Sequence, residues 1–117
     1  MADTDQVIAE AREHILEVNT GLAKFLTARV DLVELVGHRK AELDLPVVNG
    51  QRDQEVLDHF YAQMQAQGYT GTRELPDAVM GIILTDSKAR QEAIKEAYQT
   101  LSTHSALQGF LPLHHSQ

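Results

Sequence analysis

The chain has 117 residues, enough for one domain with one core and too few for two. Ten Lys+Arg against 17 Asp+Glu leave a formal charge of -7, which argues against a protein built to hold a nucleic-acid backbone but leaves room for a local cationic pocket. With no Cys, no Trp and 5% aromatics, a disulfide scaffold, a thiolate nucleophile, thiolate zinc ligands and base-stacking platforms are excluded or disfavoured. The Met-Ala-Asp-Thr-Asp start lacks the cationic and apolar runs of a signal peptide, and no stretch approaches the roughly 20 apolar residues of a membrane span. The expectation is a soluble cytoplasmic protein, with no nucleic-acid and no membrane partner.

Three prolines and seven glycines punctuate segments of helical periodicity, so the predicted class is all-α. Between Asp5 and Asp44, Ile8, Ala11, Ile15, Val18, Leu22, Phe25, Leu32 and Val36 form one a/d stripe, interrupted at position 29. Asn49 is placed to cap a second helix, which packs through Val56, Leu57, Phe60, Tyr61 and Met64 and stops at Gly68. A polar loop, Tyr69 to Arg73, leads to a third helix starting near Pro76 and carrying Val79, Met80, Ile83, Leu84, Ile94, Tyr98 and Leu101. A single domain over 1–104 and an irregular tail over 105–117 are expected.

A first helix of about 40 residues would be roughly 60 Å long, against a diameter of about 35 Å for a compact monomer of this size. Two solutions exist. The helix breaks at Asn19-Thr20-Gly21 to give a monomeric four-helix bundle, or it runs unbroken and a second copy covers its stripe in an intertwined homodimer. Gly21 costs only about 1 kcal/mol inside a helix, so the dimer is the expected form.

Polar residues on faces that ought to be apolar carry the functional information, because burying them costs several kcal/mol unless something pairs with them. Arg29 interrupts the stripe of the first helix, and Lys40 returns to nearly the same azimuth eleven residues later. Arg12 is rotated about 100° from that line, toward where a second protomer would lie. Arg52, in the first turn of the second helix, leans inward with Val56 and Phe60, while Ser87 and Gln91 extend the stripe of Met80 and Leu84. Each has an ordinary structural reading: Arg29 pairing with Asp31 or Glu34, Lys40 complementing the helix dipole, Ser87 and Gln91 bridging helices. As a set, cations and neutral donors from three helices converge in an acidic protein, which suits a small ligand with more than one carboxylate.

Other chemistries lack support. The six His show no metal-ligand spacing, and His114-His115 reads as a solvated pair, so no metal and no cofactor are expected. There is no phosphate-binding glycine loop and no nucleophile elbow around Ser87. The carboxylates at 42 to 44 and 53 to 55 read as helix-end decoration.

Over about Val7 to Thr100 the chain resembles the all-helical class of chorismate mutases. The resemblance rests on Ala11-Arg12-Glu13-His14-Ile15, Ala28-Arg29-Val30-Asp31-Leu32-Val33, Gly37-His38-Arg39-Lys40, Pro46-Val47, Gln51-Arg52-Asp53, and Asp86-Ser87 with Gln91. It implies an interlocked helical dimer with two equivalent sites. In each site Arg29, Lys40 and Arg52 of one chain and Arg12 of the other would hold the carboxylates and ether oxygen of chorismate, with Ser87 near a carboxylate and Gln91 facing the ether oxygen.

The implied reaction, chorismate to prephenate, is an intramolecular Claisen rearrangement without proton transfer. This accords with the lack of a nucleophile, base or metal. Catalysis then consists of fixing the reactive conformer and stabilising charge on the ether oxygen, with Lys40, Gln91 and Arg29 as the acting residues. Because an amide donates without being protonated, activity is expected to be flat around neutral pH.

Where the family usually has Asp and Glu flanking the substrate's C4 hydroxyl, this chain has Asn49 and Asp53. That leaves 4-amino-4-deoxychorismate as an alternative substrate, its ammonium pairing with Asp53. A helical lyase acting on isochorismate is less well matched by Gln51-Arg52-Asp53 and the Ser87/Gln91 pair. A non-catalytic helical dimer that binds a dicarboxylate or a partner is the third reading.

Overall fold

The computed structural model describes residues 4–108, with side chains described from 5 to 103. It is all-helical among the described residues: α1 spans Thr4–Glu42, α2 Gly50–Ala66 and α3 Glu74–Gln108. α1 is continuous over 39 residues, about 58 Å at 1.5 Å per residue, so the break considered at Gly21 does not occur. A Cβ built on Gly21 meets nothing within 4 Å, so the glycine is there without a local packing demand.

Two compact units divide the chain, Met1–Leu32 and Val33–Gln117. The first unit is the N-terminal part of α1. Its apolar stripe is exposed, with Val18 at 69%, Phe25 at 71% and Leu32 at 62% of full accessibility. The second unit holds the end of α1 with α2 and α3.

Local chemistry explains the turns of the second unit. α1 ends in a Schellman motif: Leu45 N–H donates to the Lys40 carbonyl at 2.8 Å and Asp44 N–H to the Ala41 carbonyl at 3.2 Å. Asp44 sits in the left-handed region at φ 53°, which an Asp tolerates better than a branched residue. Pro46 follows and cannot continue the helix, and Val47 then turns into the core at 7% exposure. Asn49 caps α2 as expected, its side-chain oxygen accepting from the Arg52 N–H at 3.1 Å. α2 closes with a second Schellman motif, in which Gly68 at φ 101° takes the left-handed position and Tyr69 N–H donates to the Met64 carbonyl at 3.0 Å.

The loop before α3 is more ordered than its polar composition suggests. The Tyr69 hydroxyl donates to the Thr72 carbonyl at 2.9 Å, and its ring lies so close to Gly71 that no side chain fits there. Arg73 donates to Asp77 twice at 3.2 Å and to Asp58 at 2.9 Å, and its guanidinium lies 5.0 Å from the centre of the Tyr61 ring. One side chain therefore ties the body of α2 to the first turn of α3, a helix that also buries Pro76 fully and Met80 to 7% exposure.

α3 begins at Glu74, within two residues of the predicted start. It runs to Gln108, so 105–108 are helical where an irregular tail was expected: nothing in Ser105-Ala106-Leu107-Gln108 breaks a helix, and the first glycine comes at 109. The remainder of that tail, including His114-His115, lies outside the described residues.

Candidate functional site

The centre of the second unit is a polar cluster between the last turns of α1 and the middle of α3. Gln91 is buried at 8% exposure, and its amide Nε2 donates to the Val33 carbonyl at 2.9 Å. Its Oε1 accepts from Lys40 Nζ at 3.5 Å, and the same ammonium donates to the Val47 carbonyl at 3.3 Å. Lys40 is half-buried. Its residence in this cluster rather than in solvent means that it does more than complement the helix dipole.

These contacts leave chemistry in hand. An ammonium has three N–H donors and a primary amide two, so Lys40 and Gln91 each retain an N–H after satisfying the backbone carbonyls. The arrangement can present two preorganised donors, one cationic and one neutral, to an electron-rich ligand atom.

Gly37 allows this approach of α1 to α3. A Cβ at that position would lie 3.0 Å from Gln91 Cγ, 3.1 Å from Ile94 Cδ1 and 3.4 Å from Gln91 Cα. Two further contacts hold the same pair of helices. Arg90 bridges Asp86 at 2.7 Å and Glu34 at 3.3 Å, and these carboxylates, Asp86 first, hold its guanidinium pKa above the ordinary value. The His38 ring meets Tyr98 edge-on, with Nδ1 at 3.4 Å from the hydroxyl.

The other candidates are placed as follows. Ser87, one turn before Gln91 on α3, is half-buried, its hydroxyl donating to the Ile83 carbonyl at 2.8 Å. Asp53, in the first turn of α2, is ion-paired with Lys88, which places α2 against α3 beside Ser87. Asn49 is engaged as the α2 cap. Arg52, expected to lean inward, is instead exposed, with its guanidinium 3.5 Å from Glu55; the carboxylate one turn on offers the nearest counter-charge. Arg12 and Arg29 belong to the first unit, where Arg12 is exposed and Arg29 half-buried.

Four contributors leave little or no mark in the sequence pattern. Lys88 carries no pattern signal of its own; only its position beside Ser87 points to it. Gly37 stands in the Gly37-His38-Arg39-Lys40 stretch with no side-chain chemistry to mark it, and the carbonyls of Val33 and Val47 carry no side-chain signal at all. A cleft of about 640 Å³, lined among others by Glu42, Asp44, Lys95 and Tyr98, lies along α1 and α3 but shares no residue with the Lys40–Gln91 cluster.

Compared with known protein families, residues 11–92 match the model for chorismate mutase type II. The chain belongs to that family. It is therefore a chorismate mutase by class, an isomerase, and chorismate is the substrate that the family implies. The matched span begins one residue before Arg12 and ends one residue after Gln91, so it takes in every candidate side chain. No curated protein and no solved structure matches the chain. Among the described residues, no helix is long and apolar enough to cross a membrane.

Proposed function

We propose that the chain acts as a homodimer converting chorismate to prephenate for aromatic amino-acid biosynthesis, each site combining Arg29, Lys40, Asn49, Arg52, Asp53, Ser87 and Gln91 of one chain with Arg12 of the other. The observation that carries this reading is the Lys40–Gln91 pair: a buried amide and a half-buried ammonium joined to each other and anchored on backbone carbonyls. Burial of such groups is costly and is maintained where their donors have a task.

In the rearrangement the C–O bond of the enolpyruvyl ether breaks as a C–C bond forms, with electrons moving in a ring and no proton changing place. Two carboxylates must be fixed so that the arm lies over the ring; the arginines supply the planar, two-pronged donors suited to that. Negative charge grows on the ether oxygen in the transition state, where Lys40 and Gln91 donate. A donor of this kind is worth about 3 to 4 kcal/mol, so two such donors reach about 6 to 8 of the roughly 8 that a million-fold acceleration needs, and positioning supplies the remainder.

The dimer is supported by the exposed stripe of the first unit. Val7, Ile15, Leu16, Val18, Leu22, Phe25 and Leu32 are all more than half exposed on one helix, an apolar surface far larger than isolated exposed residues would make. A second copy of the same helix is the partner of matching length and periodicity.

The test is loss of chorismate absorbance with purified protein, prephenate being quantified as phenylpyruvate after acid treatment, with Lys40→Ala beside wild type. Saturable turnover that falls at least a thousandfold in the variant is the expected result, since the ammonium serves both binding and charge stabilisation. Wild-type protein that is folded, dimeric and inert on chorismate would overturn the reading.

A further inference from the structure

We propose that Lys88 is a specificity-determining residue: by neutralising Asp53 it sets the site for a hydroxyl, and against an ammonium group, at C4 of the substrate ring. The inference rests on the proposed site, with Asp53 standing where the family resemblance sets a carboxylate beside C4, and deepens it. The observation behind it is the ion pair between Lys88 Nζ and Asp53 Oδ2, which joins α3 to α2 next to Ser87 and one turn from Gln91. Both side chains are partly shielded, Asp53 at 24% and Lys88 at 38% exposure, so their charges are less screened than those of the Arg52–Glu55 pair at 70% and 55%.

The electrostatics follow from counting. Asp53 alone would present a full negative charge, attracting an ammonium at C4 and repelling a substrate that already carries two carboxylates. With Lys88 attached, the pair is neutral overall while one carboxylate oxygen still accepts a hydrogen bond. A hydroxyl donor is then bound without a charge penalty. A C4 ammonium would instead have to share the carboxylate with the Lys88 ammonium, at like-charge cost. The geometry thus favours chorismate over its 4-amino-4-deoxy analogue, and Lys88 is the reason.

The experiment compares kcat/KM for the two compounds in wild type, Lys88→Met, Lys88→Gln and Lys88→Arg. Wild type is expected to prefer chorismate. In the Met and Gln variants the ratio of chorismate to analogue should fall at least tenfold, through loss on the dianion and gain on the ammonium compound, and Arg should restore it by keeping the charge. Lys88→Met and Lys88→Gln that are active with an unchanged ratio would overturn the inference and leave the mutase reading standing. Failure of both variants to fold would assign the pair a structural role and overturn it too. Wild-type protein inert on both compounds would instead refute the proposed function itself, and the specificity role with it.

Discussion

Gly37→Ala is the sharpest perturbation of the site that leaves every charged and hydrogen-bonding group in place. The added methyl would sit 3.0 Å from Gln91 Cγ and 3.1 Å from Ile94 Cδ1, where ordinary contact begins near 3.4 Å, so α1 and α3 must part by a few tenths of an ångström or Gln91 must turn. Stability feels two opposing effects. Alanine favours the helix by about 1 kcal/mol, and overpacking costs about 1 to 3, for a net loss of about 0 to 2 kcal/mol. Catalysis has no such compensation, because the 2.9 Å bond to Val33 and the Lys40 contact fix the direction of the Gln91 amide. Misdirecting one donor by this amount should lower kcat about ten- to a hundredfold, or about 1.4 to 2.7 kcal/mol, while the melting temperature falls by no more than about 10 °C and the protein stays folded at the assay temperature. The assay is steady-state turnover of chorismate in wild type, Gly37→Ala, Gln91→Ala and the double variant. If Gly37 acts through Gln91, the alanine at 37 costs little once Gln91 is gone. A folded Gly37→Ala enzyme with wild-type kcat, or the same loss in both backgrounds, would refute the reasoning.

Phe25→Asp should dissociate the dimer and abolish turnover together, because it puts a charge in the middle of the exposed stripe of α1; sedimentation and activity at one concentration check it, and a dimeric, active variant would sink the proposed assembly. Arg73→Met should lower the melting temperature at pH 7 by removing the contacts to Asp58, Asp77 and Tyr61. Hydrogen bonds from Arg73, then from Gln54, hold the Asp58 carboxyl below its usual 3.8, so this stabilisation is fully present above that value and fades as pH falls through the lower native one. The gap between wild type and variant should therefore narrow in strong acid to what the Tyr61 contact contributes, and a gap that is the same at pH 2 and pH 7 would contradict the assignment.

Periodicity made the all-α class, the three helices and the unbroken α1 readable in advance, because a 3.6-residue pattern and a few glycines and prolines decide them locally. Lys40 and Gln91 were readable for a related reason: a polar residue in an apolar register is visible in one dimension. The inward lean expected of Arg52 is absent because the sequence shows its azimuth but not the competing pull of Glu55 at i+3. Arg73 lies in the loop as expected, but its tie between two helices was not legible, since of its three partners only Asp77 lies close to it in sequence. Lys88 and Gly37 escaped for the deepest reason. Their roles exist only once α2, α3 and the end of α1 are side by side, and no spacing within one helix encodes that.

Backbone carbonyls complete the cluster, and under the proposed mechanism this ties catalysis to folding more closely than charge alone would. The acceptor at Val33 comes from the regular run of α1, whereas the acceptor at Val47 is delivered by the Schellman turn at Asp44 and by Pro46. Lys40 contributes to both layers, since its carbonyl closes that turn while its ammonium reaches the carbonyl that the turn positions. A reaction without proton transfer or covalent intermediate depends on geometry established before substrate arrives. The donors in this chain are held by contacts of the fold itself, so substitutions that shift the approach of α1 to α3 should reduce turnover even when every polar group of the site remains.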